Sequence, residues 1–75
     1  MIKEHTSIIL TRDLPEEHLL QGDVGVVVHV HENGKAYEVE FMTMNGSTVS
    51  VCTLEAADVQ VVDSHMMPHV RKIAV

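Results

Sequence analysis

The chain has a single cysteine, Cys52. One thiol closes no internal disulfide and builds no multi-cysteine zinc site. Tryptophan is absent, and there is one tyrosine and one phenylalanine. The core must therefore be aliphatic, and ring faces for stacking bases or proline-rich peptides are scarce. Cations are few as well. Lys3, Arg12, Lys35, Arg71 and Lys72 stand against eleven acids, a net charge of −6. Only the last two are adjacent, so the clustered positive charge that phosphates require is missing and nucleic acid is not an expected partner. No apolar run approaches the ~20 residues of a membrane helix, and no charged-then-apolar leader is present. A reducing cytoplasm is the expected compartment, and no membrane partner is expected. Linkers, low-complexity tracts and internal repeats are also missing.

What remains is 75 residues, 45% of them hydrophobic, enough for one small domain. The acidic surface favours solubility and suits a basic protein partner.

The clearest pattern lies in "VGVVVHVHENGKAYEVEF", residues 24–41. Alternation puts Val24, Val26, Val28 and Val30 on one face of a strand and Val27, His29 and His31 on the other. Asn33-Gly34 reads as a type I′ hairpin turn, which needs positive φ at both central residues. "KAYEVEF" then returns with Tyr37, Val39 and Phe41 inward and Glu38 and Glu40 outward, as in a sheet with one wet face. A second Asn-Gly turn, at 45–46, leads into "STVSVCTL", with Val49 and Val51 read as inward and Leu54 out of phase. That phase break predicts a bulge or bend near Cys52 and Thr53.

Upstream, the β-branched "SIILT" (7–11) reads as a first strand. The loop "RDLPEEHLLQGD" follows, anchored by Leu14, Leu19 and Leu20, with a short helical turn open to "PEEHLL" because Pro is tolerated in a first turn. "LEAAD" reads as one helical turn and "VQVV" (59–62) as a last strand. Strands are thus expected at 7–11, 24–31, 36–42, 48–54 and 59–62. The fold class is all-β: a small five-stranded SH3-like barrel with a short helical turn before the last strand. Residues 1–62 form the barrel domain, and 63–75 form a tail that packs on the barrel or on a partner.

The motifs "DLPE" (13–16), "GDVGVVV" (22–28), "AYEVEF" (36–41) and "TLEAADV" (53–59) together resemble a bacterial family called domain of unknown function 4926, over residues 10–62. "GDVGVVV" alone is shared with many SH3-like and KOW-type barrels. The resemblance implies a small all-β, SH3-like fold and occurrence among mobile or defence-associated bacterial genes. It implies no reaction and brings no catalytic residues.

His29 and His31, two apart on a strand, point the same way, but a stable metal site needs a third and fourth ligand, from Glu32, His5 or a second subunit. His65 and His69 are four apart, yet Pro68 breaks the helix that would align them. No metal or other cofactor is expected. Cys52 lacks a base at a recognisable spacing and sits mid-strand, where a thiol is packing material. The pairs Glu16/Glu17 and Glu38/Glu40 read as solvated, and acid–base work needs burial to split carboxylate pKa values. No enzyme activity and no small-molecule substrate are expected. Met42, Met44, Met66 and Met67 read as gap-filling, with an adaptable binding surface as the alternative.

The run of valines is too apolar for a strand with one fully wet side. The expectation is a non-enzymatic protein-interaction module, binding a protein partner or itself, with Val27, His29 and His31 in the interface. The tail "VRKIAV" is the competing cover. A KOW-like nucleic-acid-associated module is the alternative function, and a histidine-based metal-binding protein is a third.

Overall fold

A computed structural model describes residues 1–73. It is all-β: five antiparallel strands make one sheet, β1 (Ser7–Leu10), β2 (Val24–His31), β3 (Ala36–Met42), β4 (Thr48–Glu55) and β5 (Val59–Val61). Their order across the sheet is β4-β3-β2-β1-β5. The long strands β2, β3 and β4 form a meander, because each pair is joined by a tight hairpin. β1 then lies between β2 and β5. No ladder joins the two edge strands, so the sheet is not closed, and the expectation of a closed barrel is corrected in this respect. With only three residues, β5 pairs with β1 along one side and leaves no rung for β4. Among the described residues no helix is long and apolar enough to cross a membrane.

One face of the curled sheet is dry. Ile8 and Leu10 from β1, Val27 from β2, Tyr37, Val39 and Phe41 from β3, Cys52 and Leu54 from β4 and Val59 from β5 are all buried, joined by Leu14 and Leu19 from the long loop. The alternation of β3 does what its sequence predicts. Leu14 and Leu19 are fixed by a two-rung bridge, Leu14 N–H to Leu19 C=O at 2.9 Å and the reverse at 3.1 Å. Between them a 3-10 turn, Pro15–Glu17, begins at the proline and ends at His18 with φ of +60°. Leu20, expected as a third anchor, points to solvent instead. A second 3-10 turn, Ala56–Asp58, precedes β5 and is closed by a reciprocal cap: Asp58 accepts the Glu55 N–H at 3.1 Å.

The turns explain the glycines. In the β2–β3 hairpin, φ is positive at Glu32 (+47°) and Asn33 (+57°), and Gly34 N–H donates to His31 C=O at 2.9 Å. The turn is therefore centred one residue earlier than expected, on Glu32-Asn33, with Gly34 (φ +96°) carrying the chain back into β3. Its partner at 43–47 closes with Gly46 N–H on Thr43 C=O at 2.9 Å and Gly46 at φ +86°.

Candidate functional site

The outer face of the sheet is organised by a bulge in β2. Val27 stands opposite Val39 and His29 opposite Glu38, which leaves Val28 as an extra residue. Val27 follows its partner Val39 inward and is wholly buried, 0% exposed. The expectation that Val27 shares an outer face with His29 is corrected: the bulge puts the two on opposite faces, and Val27 belongs to the core of its own chain. Val24, Val26 and Val28, expected to share a face with Val30, point outward. Val30 is partly buried and packs against the core cluster.

A second bulge does the same to β4. Phe41 pairs with Ser50 and Met42 with Thr48, so the extra residue is Val49, not one near Cys52 and Thr53. Val49 packs on the core, whereas Val51 turns outward.

These two phase changes gather apolar side chains on the wet face. Ile9 lies opposite Val24, Val26 opposite Glu40, and Glu40 opposite Val51. Val24 is 51%, Val28 38% and Val51 53% exposed, while Ile9 and Val26 are half-buried. The strip crosses β1, β2 and β4 around one carboxylate, Glu40, whose Oε2 accepts the Thr48 hydroxyl at 2.6 Å.

The other end of the same face is polar. Glu38 Oε2 accepts the Thr53 hydroxyl at 2.6 Å and lies 2.7 Å from His31 Nε2. The Thr53 hydroxyl and then the His31 ring hold the Glu38 carboxyl below its ordinary range. The His29 ring sets its edge against His31, centroids 4.6 Å apart, and its Nδ1 is 4.0 Å from Glu4. The two histidines therefore meet, as expected, but their carboxylate neighbours are separate. Among the described residues no group of three or more His, Cys, Asp or Glu is placed to hold a metal ion.

Cys52 is buried against Ser50 Oγ at 3.3 Å and Glu17 Oε1 at 3.9 Å. Burial raises its pKa, Ser50 opposes this, and the Glu17 carboxylate adds to the rise. A thiol held protonated in this way is a poor nucleophile.

A feature with no local sequence signal lies at the end of the sheet where the long loop enters β2. Arg71 forks onto Asp23, Nε to Oδ1 at 2.9 Å and Nη2 to Oδ2 at 2.5 Å, and Nη2 also reaches the His18 carbonyl at 3.2 Å. Burial disfavours the Asp23 charge, but Arg71 and the Leu20 N–H outweigh it and keep the carboxyl below its ordinary range. The tail thus returns to its own domain across 48 positions of sequence. Residues 74 and 75 of the expected covering segment lie outside the described residues.

Residues 4–61 match the model of a family described as Domain of unknown function (DUF4926), and the chain belongs to that family. No curated protein matches the chain, and neither does any solved structure.

Proposed function

We propose that this chain is a non-enzymatic protein-interaction module on an SH3-like scaffold, docking through the outer face of its sheet. The observation that carries the reading is the apolar strip of Val24, Val26, Val28 and Val51, adjoining the polar patch of His29, His31, Glu38 and Thr53. Covering one exposed valine is worth about 1.5 kcal/mol, and interfaces pair such an apolar centre with a polar rim. The strand order, the meander of β2, β3 and β4, and the 3-10 turn ahead of β5 support the SH3-like scaffold. Tyr37 and Phe41 are spent in the core, which disfavours the aromatic peptide groove of signalling SH3 domains. Arg12 and Arg71 are each paired with an aspartate, which disfavours the nucleic-acid alternative.

The partner that this face fits is a second copy of the chain. A domain this small has a thin core, and dimerisation through an apolar face is a common remedy. Light scattering over a dilution series tests it. The expected result is a species larger than 8.3 kDa that Val51→Glu dissociates while leaving the β circular-dichroism spectrum intact. A chain that stays monomeric at millimolar concentration contradicts self-association.

A further inference from the structure

The tail does not fill the surface it crosses. Between it and the sheet runs a groove of about 580 Å³, floored by Leu19, Val24, Phe41, Met42, Met44 and Val49 and walled by residues 68–73. Val70, above this apolar floor, is 72% exposed. Among the described residues, no backbone–backbone hydrogen bond ties residues 67–73 to any strand. The side-chain hydrogen bonds of that segment all belong to Arg71. Two residues on, the half-buried Ile73 borders an adjoining hollow with His18, Thr43 and Val49.

We infer that this groove is a binding site for an extended peptide carrying arginine two residues ahead of an aliphatic side chain, and that the tail is a displaceable occupant. The chain itself displays the chemistry. Asp23, its Oδ2 already fixed by the Leu20 N–H at 2.8 Å, and the His18 carbonyl together form a preset acceptor fork for one guanidinium. The hollow beside it takes the aliphatic group. Charge agrees: the chain outside the tail carries three cations against ten acids, whereas Arg71 and Lys72 are adjacent cations. A segment tethered in the same chain enjoys a high effective concentration, so a single fork suffices to keep it seated. The same economy lets a partner segment replace it. The groove shares Val24 with the docking face but stands on Asp23, His18 and the rest of its floor, while Val26, Val28 and Val51 belong to the docking face alone, so either reading can fail without the other.

The test is fluorescence anisotropy with a labelled peptide of residues 67–73, MPHVRKI, titrated with full-length chain. The Arg71→Ala variant, whose own tail has lost its fork, should bind the peptide at least fivefold more tightly than wild type. Replacing the arginine of the peptide by alanine, or Asp23→Asn in the Arg71→Ala chain, should abolish binding. In wild type at excess peptide, the NMR signals of Met42, Met44 and Val49 should move and those of Val28 and Val51 should not. Equal affinity of the two chains, binding indifferent to the peptide arginine, or loss of the folded spectrum in Arg71→Ala would each overturn the proposal. The last outcome would make the tail part of the fold.

Discussion

Gly25 has an ordinary negative-φ strand conformation, so its glycine is needed for space alone. A Cβ added there would lie 2.6 Å from Val39 Cγ1 and 2.8 Å from Phe41 Cε1. Both neighbours are core residues: Val39 is β-branched and stiff at χ1, and Phe41 is the largest fully buried side chain. Neither can yield without moving the sheet. Overpacking of this kind costs about 1–3 kcal/mol, against a gain of roughly 0.4–1 kcal/mol from restricting the unfolded chain. Gly25→Ala should therefore destabilise by about 1–2 kcal/mol. For a domain whose core supplies roughly 3–5 kcal/mol that is a large fraction, and Tm should fall by roughly 5–15 °C. Thermal unfolding by circular dichroism and a urea titration with unchanged slope measure it. A double-mutant cycle identifies the cause. Val39→Ala is destabilising alone and removes the contact at 2.6 Å but not those to Phe41, so in that background Gly25→Ala should cost less than in wild type, a coupling of about 1 kcal/mol. An unchanged Tm in Gly25→Ala, or additive effects in the double mutant, would refute the packing argument.

Gly34→Ala should lose more than about 1 kcal/mol, because φ there is +96° and the new methyl would also press on the Tyr37 hydroxyl at 3.0 Å; a urea midpoint within error of wild type would contradict this. Acid should destabilise the fold in a defined window. Asp23, Glu38 and Asp58 all have depressed folded pKa values, so the unfolded chain binds more protons between those values and the ordinary carboxylate range near ~4. Their contribution is complete above about pH 5 and is lost as pH falls through the folded values, and Asp23→Asn with Glu38→Gln and Asp58→Asn should flatten the acid limb of a Tm–pH curve. Zinc at stoichiometric concentration should leave Tm unchanged, since His31 is bonded to Glu38 and no third ligand joins the ring pair among the described residues; a rise of several degrees, lost in His31→Ala, would restore the metal reading.

The strands were legible because β3 alternates strictly and the turns carry Asn-Gly. Expected and observed limits agree to within one residue, as in β1, which ends at Leu10 instead of Thr11. Facing was less legible, for a physical reason. In β2 the bulged Val28 follows Val26 and Val27 in one run of valines, so the hydrophobic pattern does not show which of the three face inward. Val49 and Val51 look like one face because they are two apart, until the pairing of Phe41 with Ser50 and of Met42 with Thr48 shows Val49 to be the bulged residue. The sequence pattern therefore places Val27 on the outer face of β2, where the structure has it buried. The Arg71–Asp23 fork joins residues 48 apart, and nothing local in either segment signals the other.

The docking face is the central claim, and methyl NMR over a concentration series tests it most directly. With valine methyls labelled, the signals of Val24, Val26, Val28 and Val51 should shift together as the chain is concentrated, while those of the buried Val27 and Val39 hold still. Intermolecular contacts in an isotope-filtered experiment should then join the same four valines across two copies. Shifts confined to other surfaces, or no concentration dependence up to the millimolar range, would contradict self-association through this face.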